Sequence, residues 1–490
     1  MNKIKNNSLV EKYKSLSVQS RASIWFVFCN FILKAFNFLS APIFTRLLST
    51  DQYGVVATFT TYQQIMLIFA TLELPIGAYT RGYIKYEKTI KQFTTSIILL
   101  SNITTILFLF ICLLFEKQFE EYTSLGLNVL LLSFLVFLLQ PAYNCWMVKN
   151  RFDYRYISVV IVTVVLAVLS FVLPIIGINY FGTSADVNII ITLLTSAIVY
   201  LPFYIRLLDI RSFIVDIEKC IAMWKYSIGF QLPLVLHSIS FLVLGQSDRV
   251  MISRMVSSSS AAIYSVAYTM GSIAIVLQTS INQAFQPFRY QSLNNKEYKK
   301  IDESTRKLSV LMLGCILMFV LVAPEIFYLI FPKSYNEAII IIPPIAASVF
   351  FMFMYSVFVD IESFYEKTRY VMYASIVCAI INIILNYYSI LKIGYYACGY
   401  TTLISYFIFS IMHYFFMKKT CKSQGINEEI FDVKYIIAFE GIALVIGLAA
   451  AFLYKHNVPR YILIIGLIVV ILALKKEIIS VFQRIKSSEK

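Results

Sequence analysis

Two cationic side chains stand inside long apolar segments of this sequence, and they are the residues that could do chemistry. Lys34 lies in NFILKAFNFLSAPIFTRLLSTDQYG, which runs from Asn30 to Gly54, and Arg249 lies in a second long apolar run. A charged side chain in hydrocarbon costs roughly 2.5 to 3.5 kcal/mol, so it usually faces a bundle interior or a water-filled cavity. By default, both residues are candidates for a functional site.

Lys34 lies on a polar stripe. Asn30, Lys34 and Asn37 fall within about 60° of one another on a helix that turns about 100° per residue. We expect this helix to break near Pro42, and Arg46 follows in a basic turn at its outer end. Arg46 is either a binding residue or an anchor that reaches the membrane interface.

The apolar run around Arg249 also carries polar residues on one helical face. Gln231 and Arg249 are eighteen residues apart, which is five whole helical turns, so they share one face. Asp248 points about 100° away, where it could pair with a neighbouring helix. The alternative is a structural ion pair between Asp248 and Arg249.

A short motif relates the two stretches. Thr45–Ser49 (TRLLS) and Ser253–Ser257 (SRMVS) align without gaps, which sets Arg254 against Arg46, and a tyrosine follows soon after each. We interpret this as two related halves. Like Arg46, Arg254 could also be an interfacial anchor.

Further polar residues occur in other apolar runs. Asn282 shares a helical face with Gln278, and Glu73 stands just before Pro75 and Gly77, a composition that favours a broken helix. Amides in such segments often form hydrogen bonds between helices instead of binding a ligand. We expect the histidines to be packed or interfacial.

The composition identifies an integral membrane protein. Hydrophobic residues make up 59% and charged residues 14% of the chain, whereas soluble domains carry about 25% charge. Apolar runs of roughly 20 residues recur at regular intervals, and in a bilayer such runs must be helices. About fourteen spans are predicted, at residues 22–44, 54–78, 93–115, 123–148, 157–180, 187–206, 226–248, 261–288, 308–331, 337–361, 371–391, 395–417, 435–454 and 460–474.

Charge sets the predicted orientation. Of the 42 Lys and Arg residues, about 33 lie in alternate gaps on one side, so both termini are expected in the cytoplasm. The sequence predicts an all-α bundle of two pseudo-repeated six-helix lobes and two further helices. The segments are a cytoplasmic N-terminus (1–21), an N-lobe (22–206), an interfacial linker (207–225), a C-lobe (226–417), a cytoplasmic loop (418–434), two last spans (435–474) and a cytoplasmic tail (475–490).

The motifs that are absent narrow the function. The eight cysteines are scattered without a C-x-x-C pair, and no acidic or histidine cluster has metal-ligand spacing. There is no phosphate-binding G-x-x-x-x-G-K-[ST] loop. We therefore expect that the protein binds no cofactor and no metal and that it is not an enzyme. A repeat-built bundle with polar stripes favours a secondary transporter with its site near the midplane.

Two sequence patterns carry a family resemblance. FNFLSAPIFTRLLSTDQYG resembles the opening signature of the polysaccharide transporter family, the Wzx-type O-antigen flippases of the superfamily that also holds MATE multidrug exporters and the lipid II flippase. QSDRVMIS followed by AAIYSVAY is similar to that family's seventh and eighth spans. The resemblance covers essentially the whole chain and implies a MATE-like fold.

The resemblance also implies a function. The protein would move undecaprenyl-pyrophosphate-linked oligosaccharide from the cytoplasmic to the periplasmic leaflet of the bacterial inner membrane, for O-antigen, capsule or exopolysaccharide synthesis. A proton or sodium gradient would drive alternating access, and a glycan polymerase and a chain-length regulator would be possible partners. The alternatives are a MATE-type multidrug exporter and a membrane-embedded glycan polymerase or ligase.

Roles follow for the candidate residues. Lys and Arg suit a diphosphate, so Lys34 and Arg249 would be the main cavity cations, with Arg46 and Arg254 secondary. Glu73 or Asp248 would be the ion-coupling carboxylate. The remaining residues of the predicted cavity are the amides Asn30, Asn37, Gln231 and Asn282.

Overall fold

All regular structure in the described part of the chain is helical. The computed structural model describes residues 18–123, 126–367 and 369–473. The α-helices are α1 Val18–Leu47, α2 Thr50–Thr71, α3 Ala78–Lys85, α4 Ile90–Leu114, α5 Glu116–Thr123, α6 Leu127–Phe152, α7 Tyr156–Phe181, α8 Ala185–Leu207, α9 Ile210–Ile214, α10 Ile217–Met255, α11 Ser258–Asn294, α12 Tyr298–Ile330, α13 Ile342–Phe364, α14 Arg369–Lys392, α15 Ala397–Ser423, α16 Val433–Leu453 and α17 Asn457–Ala473. Two 3-10 helices are Glu87–Thr89 and Lys333–Ile341.

The helices confirm a multi-pass membrane protein. Within the described ranges, 11 helical segments are long and apolar enough to cross a bilayer, and each coincides with a predicted span. The other predicted spans, 22–44, 54–78 and 460–474, fall on α1, α2 and α17, although residue 474 lies outside the described residues. The predicted cytoplasmic tail 475–490 and most of the predicted N-terminus also lie outside them.

The predicted break of the first helix near Pro42 is wrong. Helix α1 continues through Pro42 to Leu47. A proline removes one backbone donor, but helices in membranes tolerate it when neighbouring groups satisfy the freed carbonyls. Helix α1 stays continuous across this residue, and the Thr45 hydroxyl donates a 3.1 Å hydrogen bond to the Pro42 carbonyl oxygen in the turn that follows.

The predicted break in the second span is confirmed. Helix α2 ends at Thr71, and the chain turns through Leu72 and Glu73, whose φ angles are 50° and 47°. Both residues therefore occupy the left-handed region that L-amino acids rarely adopt. Pro75 cannot extend an α-helical hydrogen-bond ladder from within the turn. A new helix, α3, begins at Ala78.

The first compact unit comprises the described residues up to Leu48 and Tyr62–Val235. One of its cores packs Tyr79 and Phe93 face to face, with ring centroids 5.6 Å apart, around the start of α3. A second core gathers Phe134 and Phe137 of α6 against α2 and α4. The turn after α2 is therefore held by packing on both sides.

The second compact unit comprises Ser49–Thr61 and the described residues from Leu236. Helix α13 is its centre and is buried along nearly its whole length. A helix that is apolar all round must be enclosed by others, and here α11, α12, α15 and α16 pack against it. The domain boundaries given by the sequence stay a prediction.

The repeated motif has the same local role at both of its occurrences. Each copy stands where a helix ends, α1 at Leu47 and α10 at Met255. The last serine of each copy then caps the next helix: Ser49 Oγ accepts from the Gln52 amide at 3.2 Å, and Ser257 Oγ from the Ser260 amide at 3.1 Å. A serine at this position satisfies an otherwise unpaired amide.

Candidate functional site

One polar site in the second unit surrounds the Asp248 carboxylate. Asp248 lies on α10 and is buried, with 1% of its surface exposed. Its Oδ2 accepts a 2.9 Å hydrogen bond from Thr402 on α15 and another from the Tyr264 hydroxyl on α11. Its Oδ1 accepts from the Asn386 amide on α14. Four helices therefore meet at one carboxylate.

Further hydrogen bonds between polar side chains of α14 and α15 extend this site. The Asn386 amide also donates to Asn382 Oδ1 at 3.0 Å, and Thr401 donates to Asn386 Oδ1. Asn382 in turn donates to Ser405 Oγ at 3.2 Å. All three groups that donate to Asp248 are neutral, so the carboxylate is held by hydrogen bonds and not by a bidentate ion pair.

Arg249 points to a different side of α10. Its guanidinium donates to Gln246 Oε1 and lies over the ring of Tyr268, 4.4 Å from the centroid. Arg249 is buried, with 9% exposed. These contacts agree with the sequence prediction. In that prediction Asp248 and Arg249 point in different directions, and Asp248 pairs with a neighbouring helix.

Gln231 caps a helix within the first unit. Its Oε1 accepts a 2.8 Å hydrogen bond from the backbone N–H of Ala78, the first residue of α3. The first amides of a helix have no partner inside it, so a side-chain oxygen there stabilises the helix start. Gly77 permits the approach, because a Cβ at Gly77 would lie 2.2 Å from that oxygen.

Asn282 belongs to a buried ion-pair cluster. Its Oδ1 accepts from Arg289 on the same helix, and Arg289 Nε donates to Asp360 Oδ2 on α13 at 2.7 Å. Gln286 donates to the other oxygen of Asp360, also at 2.7 Å. The cluster joins α11 to α13 within the second unit.

The other predicted residues are not deeply buried. Lys34 and Asn37 are exposed within the chain, as are Phe28 and Phe31 on the same helix. Arg46 and Arg254 are exposed at the ends of α1 and α10. Glu73 is half-buried in the turn after α2. The side chain of Asn30 lies outside the described part of the structure.

Three buried acidic side chains were missed by the sequence analysis. Asp360 pairs with Arg289, Glu362 with His413, and Glu440 accepts a 2.7 Å hydrogen bond from Ser410. Asp360 and Glu362 lie at the end of an apolar run. From sequence alone, residues at such a position are expected at the membrane surface and not in a buried site. The one available signal was the absence of Lys or Arg from the adjoining apolar residues.

Comparisons with known proteins agree with this architecture. A family model described as "Polysaccharide biosynthesis protein" matches residues 20–293, and the MatE model matches residues 233–388. Lsg locus protein 1 of Haemophilus influenzae is 24% identical over 267 residues, which are 54% of this chain and 64% of that protein. The chain thus spans less than two thirds of that relative's length.

Two solved structures share the fold. The lipid II flippase MurJ, in an inward closed conformation, has a TM-score of 0.64 at 14% identity and covers 93% of this chain and 100% of its own. An inward-facing multidrug resistance MATE transporter of the MOP superfamily also has a TM-score of 0.64, at 12% identity, over 81% of this chain and 96% of its own. At these identities the two likenesses show a shared fold. Since the first family model covers more than half of the sequence, the chain belongs to the polysaccharide biosynthesis protein family.

Proposed function

We propose that this protein is a flippase for lipid-linked oligosaccharide. It carries undecaprenyl-pyrophosphate-linked repeat units from the cytoplasmic to the periplasmic leaflet, for O-antigen, capsule or exopolysaccharide synthesis. The observation that carries the proposal is the family match over residues 20–293. The fold shared with a lipid II flippase supports it, because such a fold suits a ligand with a polar head and a lipid tail.

The cationic residues supply the chemistry for the diphosphate. Arg249 presents a planar guanidinium held by Tyr268 and Gln246, and Lys34 presents an exposed ammonium on α1. Guanidinium groups bind phosphate through paired hydrogen bonds, and an ammonium acts as a point charge. Arg46 and Arg254 are secondary contacts in this proposal, and Asn30 and Asn37 are polar neighbours.

The Asp248 site is the proposed coupling site. A buried carboxylate that has no ion-pair partner can take up a proton, because burial disfavours its charged form. The same oxygen-rich shell, with Thr402, Asn386 and Asn382, has the ligand chemistry of a hard monovalent cation. Glu73 is the second candidate, since its half-buried carboxylate lies in a strained turn.

The proposal includes a location and partners. The protein would lie in the bacterial inner membrane with both termini in the cytoplasm, as the distribution of Lys and Arg indicates. A glycan polymerase and a chain-length regulator would act on the translocated unit.

A bacterial strain that lacks the gene tests the proposed function. We expect it to accumulate the lipid-linked repeat unit on the cytoplasmic side, and the intact gene to restore export. The Lys34→Ala, Arg249→Ala double variant should fail to restore it at equal protein level. A matched control is Lys91→Ala with Arg211→Ala, because both side chains are exposed cations outside the proposed site. Export by the double variant at the wild-type rate would show that neither cation is needed for transport.

A multidrug exporter is the second candidate, because the MatE model matches residues 233–388. Such a protein would bind organic cations, whereas Lys34 and Arg249 are cations themselves. Ethidium efflux distinguishes the two functions. We expect efflux to be the same with and without the gene, and a loss of efflux on deletion would favour the exporter.

A further inference from the structure

A groove between α15 and α16 of the second unit is lined almost wholly by apolar side chains. Its volume is about 360 Å³, and small-ligand sites have roughly 300 to 1,000 Å³. Phe407, Tyr414 and Phe415 belong to the α15 wall, and Ile436 and Leu444 to the α16 wall. Phe415 is 61% exposed, so the groove opens to the outside of the unit. On two membrane helices, that side faces lipid.

The groove contains one group that is charged at neutral pH, the carboxylate of Glu440. Glu440 lies seven residues after the start of α16, which is about 10 Å along the helix axis. It is 5% exposed, and its Oε1 accepts a 2.7 Å hydrogen bond from Ser410 on α15. A carboxylate can accept about four hydrogen bonds, so one neutral donor leaves most of its charge uncompensated. An ionisable residue inside a span is by default a functional candidate.

Cationic side chains beside the groove already have acidic partners. Lys418 Nζ lies 5.8 Å from the centre of the Tyr414 ring but pairs with Glu429 at 2.9 Å. Across the described ranges, Glu440 takes part in no ion pair. A buried charge without a counter-charge is costly. A cation that entered the groove would supply that counter-charge.

Gly441 leaves space in the groove next to Glu440. A Cβ at Gly441 would meet nothing within 4 Å, although Gly441 lines the groove. A Cβ at Gly447 would instead lie 2.6 Å from the Leu403 side chain on α15. The two helices therefore pack closely at Gly447 and leave room at Gly441, about 9 Å earlier along α16.

The aromatic rings of the α15 wall are held in place by α13. The Phe407 ring packs edge to face on Phe351, with centroids 5.3 Å apart, and the Tyr414 ring packs on Phe358 at 5.6 Å. The face of an aromatic ring attracts cations, and more strongly where water is excluded. The groove thus combines a carboxylate, fixed aromatic rings and open apolar space.

We infer that this groove binds a lipophilic organic cation. The ligand class is a quaternary ammonium or phosphonium ion whose apolar substituents lie on the two walls, with the positive centre beside Glu440. A small metal cation does not suit the groove, because such ions need several oxygen ligands. The site shares no residue with the proposed transport site and does not depend on the flippase proposal.

Binding of two matched ions to the purified full chain tests the inference. Tetraphenylphosphonium and tetraphenylborate have nearly the same size and apolar surface but opposite charges. In equilibrium dialysis with the protein in detergent micelles, we expect saturable binding of the cation and no saturable binding of the anion. Equal saturable binding of both ions, or no saturable binding of the cation, would overturn the inference.

Glu440→Gln separates ligand binding from helix packing. Glutamine keeps the shape and can still accept from Ser410, but it carries no charge. We expect the affinity for tetraphenylphosphonium to fall at least about tenfold, as for the loss of a close charge pair. Glu303→Gln is the control, because it removes the same charge from an exposed position on α12. Wild-type affinity of Glu440→Gln would leave Glu440 only a hydrogen bond between helices and would contradict the site.

Gly441→Leu tests the same site with Glu440 intact. The leucine side chain would fill the open space, so tetraphenylphosphonium binding should be lost. Thermal stability should be equal or higher, because leucine favours a helix more than glycine does. Gly466→Leu is the control, since a Cβ at Gly466 on α17 also meets nothing within 4 Å. Unchanged binding by Gly441→Leu would place the cation elsewhere and overturn the inference, whatever the deletion strain shows about export.

Discussion

Gly54 packs directly against the backbone of Ser258. A Cβ atom built on Gly54 would lie 1.9 Å from the Ser258 carbonyl oxygen, and 2.5 Å from its carbonyl carbon. Gly54 closes the first of the two related stretches, and Ser258 opens the helix that follows the second motif. The contact therefore joins the starts of α2 and α11 within the second unit, and only a residue without a side chain permits it.

Gly54→Ala should destabilise the protein. The backbone at Ser258 cannot move aside like a flexible side chain, so we expect a loss of about 2 to 3 kcal/mol, at the upper end of overpacking costs. Thermal unfolding of the purified protein measures it. Gly229→Ala is the control, since a Cβ at Gly229 would meet nothing within 4 Å and should leave stability equal or slightly higher. Equal unfolding temperatures for Gly54→Ala and wild type would contradict the observed packing.

Asp248→Asn should uncouple transport without unfolding the protein. Asparagine has the same size and can bond to Thr402 and Tyr264, but it cannot hold the charge or the exchangeable proton. We expect export to fall at least about tenfold, which corresponds to about 1.4 kcal/mol.

Thr402→Val should have a smaller effect than Asp248→Asn, because two of the three donors to Asp248 remain. Asp186→Asn, at an exposed position, is the control. Export is measured in the deletion strain at matched protein levels. Wild-type export by Asp248→Asn would move the coupling assignment to Glu73.

Arg249→Lys should not replace arginine fully. Lysine keeps the positive charge but loses the planar guanidinium that lies over Tyr268 and donates to Gln246. We expect Arg249→Ala to abolish export and Arg249→Lys to retain a part of it. The measurement is the ratio of exported to cytoplasmic-leaflet glycan lipid. Full activity of the lysine variant would show that charge alone is needed at this position.

Removing only Arg289 from its ion pair with Asp360 should destabilise the protein strongly. Replacing both residues by apolar ones should change the stability much less. Arg289→Met leaves a buried carboxylate without its cation, so we expect about 3 to 5 kcal/mol of destabilisation. The double variant Arg289→Met, Asp360→Leu should recover most of that loss, since an apolar pair of similar volume avoids burying charge.

A more exposed ion pair provides the comparison for Arg289. Arg306 pairs with Asp302 four residues earlier on α12, and its side chain is 33% exposed. Arg306→Met should cost less than about 1 kcal/mol, as surface pairs do. Chemical or thermal unfolding of the purified variants measures both. Similar losses for Arg289→Met and Arg306→Met would show that the Arg289 pair is not buried as described.

Several features could be predicted because they depend on neighbours in the chain. The positions of the membrane helices follow from apolar runs of bilayer length, and the break before α3 follows from Glu73, Pro75 and Gly77. The divergent directions of Asp248 and Arg249 follow from helical geometry. Pro42 misled the prediction, because the effect of a proline in a membrane helix depends on which groups satisfy the freed carbonyls.

Other features depend on contacts between residues far apart in the chain. Gln231 and Ala78 are 153 residues apart, and Asp248 and Thr402 are 154 apart, yet each pair is joined by one hydrogen bond. Helical periodicity gives the face of a side chain but not the helix that lies opposite. For this reason Gln231 could be placed on a polar stripe but could not be assigned as the cap of α3.

The sequence by itself determined that this is a helical membrane protein and which family it resembles, because bilayer insertion depends on local composition and family signatures are local patterns. The tertiary structure alone decided which polar groups meet. Glu362 appears in the sequence as a residue at a membrane boundary, and His413 as one polar residue in an apolar run. Packing of α13 against α15 buries both and sets them 3.0 Å apart. That pairing arises from the way whole helices exclude lipid and water, which no stretch of sequence specifies on its own.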